Sequence, residues 1–129
     1  MKWFLVFLLF SGSALAQGTF VKIDTLSDGA IRHSEMVDGK LHGTRTFYVD
    51  GFLYCVESFH RGVISGPEYW YYKDGSLKGI SHFKNGFFHG LFEKYTKDGQ
   101  IMSSNYYEYG VRVTKEYFKS IYNENGETK

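Results

Sequence analysis

Five histidines, one cysteine and 14 acidic side chains are the groups with which this 129-residue chain could bind a metal or break a bond. Zinc sites gather their ligands through short spacings such as His-x-x-x-His or paired cysteines, because one turn or hairpin must present them together. His33, His42, His60, His82 and His89 are scattered singly and form no such spacing. A nucleophile needs a base and a positioned loop, and no G-x-S-x-G elbow is present. Cys55 has no neighbouring motif that would lower its pKa, so it reads as a small buried residue. Glu57 stands alone in its stretch, and nothing in the spacing demands a partner carboxylate for glycoside chemistry. The residues point away from catalysis, and no metal or cofactor is expected.

The aromatics are a different matter. They make up 19% of the chain, with 11 Tyr and 12 Phe, and one stretch runs Tyr69-Trp70-Tyr71-Tyr72. Consecutive strand residues alternate between faces, so these rings cannot all point inward. Trp70, Tyr69 and Tyr72, with Tyr48 and Tyr54 from the preceding segment, are therefore the candidate binding surface, since exposed aromatic patches mark interaction sites.

What positions them is a repeat. Asp28-Gly29, Asp50-Gly51, Asp74-Gly75 and Asp98-Gly99 recur at spacings of 22, 24 and 24. Ten or eleven residues beyond each comes a further glycine: Gly39, Gly62, Gly86 and Gly110. Four residues later stand Gly43, Gly66 and Gly90, with Thr114 in that place in the last copy. Between the glycines the pattern has a period of two. Leu53, Cys55, Glu57 and Phe59 are answered by Leu77, Gly79, Ser81 and Phe83, then by Ile101, Ser103, Asn105 and Tyr107. Such alternation predicts strands with these columns on one inner face. Four positions before the Asp-Gly glycine stand Phe47, Tyr71 and Tyr95, which align as an aromatic column and, with Phe59, Phe83 and Tyr107, are expected to form a stacked core. Asp-Gly and Asn85-Gly86 favour type I′ hairpin turns.

The fold class is therefore all-β, an open antiparallel meander of stacked hairpins. Residues 17–38 form a degenerate N-terminal unit, and residues 39–114 form the regular array. Residues 115–129 are a C-terminal cap and frayed tail. Lys115 to Tyr122 is either strand after a bulge or a short helix with Phe118, Ile121 and Tyr122 on one face. The first 16 residues read as a signal peptide: Lys2, an apolar run from Trp3 to Phe10, and Ala14-Leu15-Ala16 before the cut. That predicts a secreted or periplasmic product. Loss of Lys2 leaves 14 basic and 14 acidic residues, so no overall field draws the chain to nucleic acid or anionic lipid.

Gly39-Lys40-Leu41-His42-Gly43 with Phe47-Tyr48 and Asp50-Gly51, and Asn85-Gly86-Phe87-Phe88-His89-Gly90 with Tyr95 and Asp98-Gly99, resemble MORN repeats in their bacterial variant form. Ile64-Ser65-Gly66 lacks the histidine and Thr114 lacks the second glycine. The resemblance implies a scaffold or binding surface rather than an enzyme, and some bacterial members are classed as antitoxin components. The expected partner is another exported or envelope protein. The alternative, which the similarity of the segment 66–75 to wall-binding repeats suggests, is an envelope polysaccharide. Exposed outer strands leave both a monomer and an edge-paired dimer open.

Overall fold

A computed structural model describes residues 18–123 and 126–129. The leader assigned to residues 1–16 lies outside them. Eleven strands form one sheet: β1 (Thr19–Thr25), β2 (Ile31–Val37), β3 (Lys40–Val49), β4 (Phe52–His60), β5 (Val63–Ile64), β6 (Gly66–Tyr71), β7 (Leu77–Lys84), β8 (Phe87–Phe88), β9 (Gly90–Tyr95), β10 (Ile101–Glu108) and β11 (Val111–Val113). Spatial order follows chain order, β1-β2-β3-β4-β6-β7-β9-β10-β11, with every pair antiparallel. The short β5 and β8 pair with the ends of β4 and β7 before the chain kinks into β6 and β9. An open antiparallel meander of hairpins is what the repeat predicts.

The turns are of two kinds, and this corrects the uniform type I′ expectation. Asp50-Gly51 and Asn85-Gly86 both take positive φ, 51° and 79°, then 50° and 88°, as a two-residue type I′ turn requires. Arg61-Gly62 and Tyr109-Gly110 do the same without a favourable first residue. Asp28-Gly29, Asp74-Gly75 and Asp98-Gly99 instead close three-residue loops, in which only the glycine is left-handed. There Gly75 N–H donates to Tyr72 O and Tyr72 N–H to Ser76 O, both at 2.9 Å.

That difference moves the register by one residue. Phe47 lies opposite Cys55, but Trp70 lies opposite Gly79 and Lys94 opposite Ser103. The structural equivalents of Phe47 are thus Trp70 and Lys94, not Tyr71 and Tyr95. Tyr71 and Tyr95 correspond to Tyr48 and face Leu77 and Ile101, as Tyr48 faces Leu53. A register shift beside each small residue inserts one extra residue: Tyr54, Lys78 and Met102. Such bulges break strict alternation, so Leu53 does not share a face with Cys55, Glu57 and Phe59.

The sheet therefore has a Trp70 face, carrying Arg45, Phe47, Cys55, Glu57, Glu68 and Ser81, and a Tyr69 face, carrying Tyr48, Val56 and Ile80. The expected aromatic core is not where the burial lies: Phe47, Phe59, Tyr71, Phe83, Tyr95 and Tyr107 are only half-buried. A single layer has no second sheet to cover them. The buried cluster is at the C-terminal end, where Phe118 and Tyr122 pack on Tyr106, flanked by Leu91, Val113 and Ile121. Helix α1 (Lys115–Ile121) settles the open choice for this segment. Thr114, standing where earlier copies have glycine, caps it by accepting from Tyr117 N–H at 3.2 Å. Residues 126–129 are bonded back rather than frayed: Tyr122 bridges Thr128, and Lys129 N–H donates to Ile121 O.

Candidate functional site

On the Trp70 face the central strands carry a row of polar groups. Arg45 Nε donates to Glu57 Oε2 at 2.6 Å, and its guanidinium lies 4.5 Å from the Phe59 ring centre and 5.4 Å from that of Phe47. The register that pairs Cys55 with Trp70 and Val56 with Tyr69 brings Glu57 opposite Glu68 at its next step. Ser81 Oγ donates to Glu68 Oε2 at 2.6 Å. Glu68 and Ser81 are buried. Cys55, 2% exposed, has its sulfur within 4.8 Å of both carboxylates. These three are the described residues whose donor atoms come close enough to hold a metal ion. Burial, reinforced by the charges of Glu68 and Glu57, pushes the Cys55 thiol up to about 12 and keeps it protonated at neutral pH.

The site candidate lies just beyond this row. Trp70, Tyr72, Phe88, Phe92 and Met102 line a cleft of about 410 Å³, together with Gly79, Lys78, Lys94 and Glu68. Gly79 is needed for space: a Cβ there would sit 3.0 Å from the Glu93 carbonyl oxygen. Tyr72 is fixed by donating its hydroxyl to Tyr95 O at 2.9 Å. Phe88 is held against Phe83 and Tyr107, with ring centres 4.6 and 5.6 Å away. A second cleft of about 260 Å³ lies on the other side of Trp70, lined by Phe47, Tyr54, Cys55 and Glu57. Trp70 is the shared wall, and Tyr54 meets it edge-on at 5.2 Å and 89°.

Of the five aromatics singled out in the sequence, the structure brings three together: Trp70, Tyr54 and Tyr72. Tyr69 lies on the opposite face, paired between Val56 and Ile80. Tyr48 also lies there, stacked on His33 at 5.1 Å. Half of the cleft was missed. Phe88, Phe92 and Met102 come from strands where no aromatic run draws attention. The doubled Phe87-Phe88 was the available signal, since a two-residue strand cannot bury both rings.

The repeated histidine has a structural task. Arg61 N–H donates to His42 Nδ1, and Tyr109 N–H donates to His89 Nδ1, each at 3.3 Å and each at the first residue of a two-residue turn. His89 Nδ1 thus accepts, so Nε2 carries the hydrogen that reaches Gly126 O at 3.0 Å. Burial foremost, then the charge of Lys84, lowers the His89 pKa against the raising effects of Gly126 O and Glu108. The ten repeat glycines all have φ between 75° and 118°. Among known proteins, no family model, no curated relative and no solved structure matches this chain.

Proposed function

We propose that this chain is a non-catalytic, exported hairpin-repeat scaffold that binds another exported or envelope protein on its Trp70 face. The observation that carries the reading is the pair of clefts sharing Trp70 on a sheet face that the helix leaves uncovered. α1 packs at Tyr106, Leu91 and Val113, on the other face. Apolar concavities flanked by charge are the form that buried interface anchors take. Lys78 and Lys94 beside the rings favour a partner segment that offers an apolar side chain next to acidic ones. An antitoxin-like role, in which the partner's activity is blocked, is a narrower form of the same proposal and follows only from the resemblance to MORN variants. Export rests on the leader pattern. Among the described residues no helix is long and apolar enough to cross a membrane.

A polysaccharide ligand is the second reading. What favours it is Glu68, a buried acceptor in the lining of a ring-lined cleft, where a sugar hydroxyl would find both a stacking surface and a hydrogen-bond partner. Affinity capture from envelope and culture fractions, run beside purified wall polysaccharide, separates the two. Recovery of one protein near equal stoichiometry, lost in Trp70→Ala, supports the scaffold. Retention on polysaccharide alone supports the second reading. Interactions left intact in Trp70→Ala would remove the site from both.

A further inference from the structure

Among the described residues strand β1 forms one open edge of the sheet, and its chemistry is self-complementary. All seven of its residues pair with β2, Thr19 opposite Val37 through Thr25 opposite Ile31. Antiparallel pairs alternate between hydrogen-bonded and open positions. Leu26 N–H donates to Ala30 O, and Asp38 N–H donates to Gly18 O. The even-numbered residues of β1 therefore bond inward, and Thr19, Val21, Ile23 and Thr25 turn their backbone N–H and C=O groups outward. Phe20, Val21 and Ile23 are 42%, 55% and 62% exposed, so apolar side chains flank those open groups. The opposite edge is interrupted: the three residues of β11 cover only Tyr106–Glu108 of β10 and run into Thr114 and α1, and the uncovered stretch from Ile101 to Asn105 is broken by the bulge at Met102.

We infer that β1 is a self-association edge, on which two copies join antiparallel about a two-fold axis at Ile23. Three two-fold registers compete. Centring on Lys22 sets Lys22 against Lys22 of the second copy, and like charges directly opposite are unfavourable. Centring on Val21 pairs Lys22 with Phe20 and leaves Asp24 beyond the ladder. Centring on Ile23 sets Lys22 against Asp24 of the second copy, and Asp24 against its Lys22. Within each copy Asp24 is already held by Arg32 at 2.8 Å and Lys22 at 3.2 Å, so the second copy's lysine joins a shared carboxylate. In that register the outward groups also meet as hydrogen-bonded pairs: Ile23 with Ile23, and Val21 with Thr25 in both directions. The outward groups meet as hydrogen-bonded pairs in all three registers, so the charges alone select this alignment. Edges that must stay single are usually blocked by proline, bulges or charged side chains, and on β1 the charge of Lys22 is answered by Asp24 of the second copy. β1 pairs with β2 without a register shift, contains no proline, and carries one lysine and one aspartate two residues apart.

The experiment is sedimentation of the purified full chain, and of the form beginning at Gln17, over a concentration series. A mass moving from one copy to two, with a Kd between about 1 and 100 μM, is the expected result for so small an interface. A single-copy mass throughout overturns the inference. Ile23→Pro removes only an outward N–H, so it should abolish the dimer while the circular dichroism stays unchanged; a persisting dimer places the contact elsewhere. Ile23→Cys fixes the register: Cα atoms at the axis lie about 5.5 Å apart, within disulfide reach. It should cross-link to completion under air oxidation. Val21→Cys, about 13 Å from its own copy at roughly 3.3 Å per residue, should not. Equal cross-linking of the two, or of neither while the dimer forms, overturns the Ile23 axis.

Discussion

Arg45, Glu57, Glu68 and Ser81 form a row in which the guanidinium pairs with one of the two carboxylates and the serine hydroxyl with the other. Arg45 neutralises Glu57, whereas Glu68 accepts from the uncharged hydroxyl of Ser81. The two acids therefore contribute with opposite sign. Glu57→Gln leaves Arg45 without its ion pair among half-buried rings and is expected to cost about 2 kcal/mol. Glu68→Gln keeps an oxygen for Ser81 Oγ and removes a like charge across the strands. Its stability should be equal to or above that of the parent by about 0.5 kcal/mol. Chemical denaturation of the two variants checks this, and an equal loss in both would mean that the charges across the row do not interact. None of this was legible in the chain, because Glu57 and Glu68 are 11 residues apart in sequence and come together only through the register at Cys55 and Trp70.

The elements show how far the repeat can be read. Glycine spacing predicts the hairpins, their order and their antiparallel pairing, because each turn needs a left-handed residue at a set interval. It does not distinguish a two-residue turn from a three-residue loop. Asp-Gly suits both: in one, both residues are left-handed, while in the other Asp ends a type I turn and Gly alone follows with positive φ. That one-residue ambiguity set Tyr71 in the column that belongs to Trp70, and so hid that Trp70 shares a face with Phe47 and not with Tyr48. The glycines also differ in what they must avoid. At Gly66, with φ 110°, a Cβ would come 3.0 Å from Ser58 Cβ, while at Gly75, with φ 86°, it would meet nothing within 4 Å. Gly75→Ala is thus expected to cost about 1 kcal/mol for the left-handed backbone alone, and Gly66→Ala about 2–3 kcal/mol. Thermal unfolding of both variants measures the gap, and a reversed order would contradict the assignment of Gly66 as the kink between β5 and β6.

For the molecule as a whole, the C-terminal end supplies the layer that the hairpins lack. Gly126 closes it on His89, with no room for a side chain: a Cβ would lie 2.7 Å from His89 Cδ2. This closure requires His89 neutral, since protonated Nδ1 could no longer accept from Tyr109 N–H. Its pKa lies below the ordinary 6.5, so its contribution to stability is complete above pH 6.5 and is lost as pH falls through the folded value. The thermal midpoint should fall on acidification from about pH 7.5 to 5. The slope should flatten in His89→Gln, and an unchanged slope would assign the acid response to other groups. The sequence marks Phe118, Ile121 and Tyr122 as a helical face. It carries no sign that residues 126–129 fold back, because that tie is made largely by backbone groups: Gly126 O on His89, the Tyr122–Thr128 bridge and Lys129 N–H on Ile121 O.

Every strand pairs with the one before it in the chain or, at β6 and β9, with the one before that, and this has a kinetic consequence. No pairing waits for a distant segment, so loop closure is short at every step and the structure can be completed in the order in which the chain is delivered. A polypeptide emerging end-first through a narrow opening could zip each hairpin onto the last one formed, with a growing edge always ready for the next strand. Only the final fastening of His89 by Gly126 must wait for the terminus.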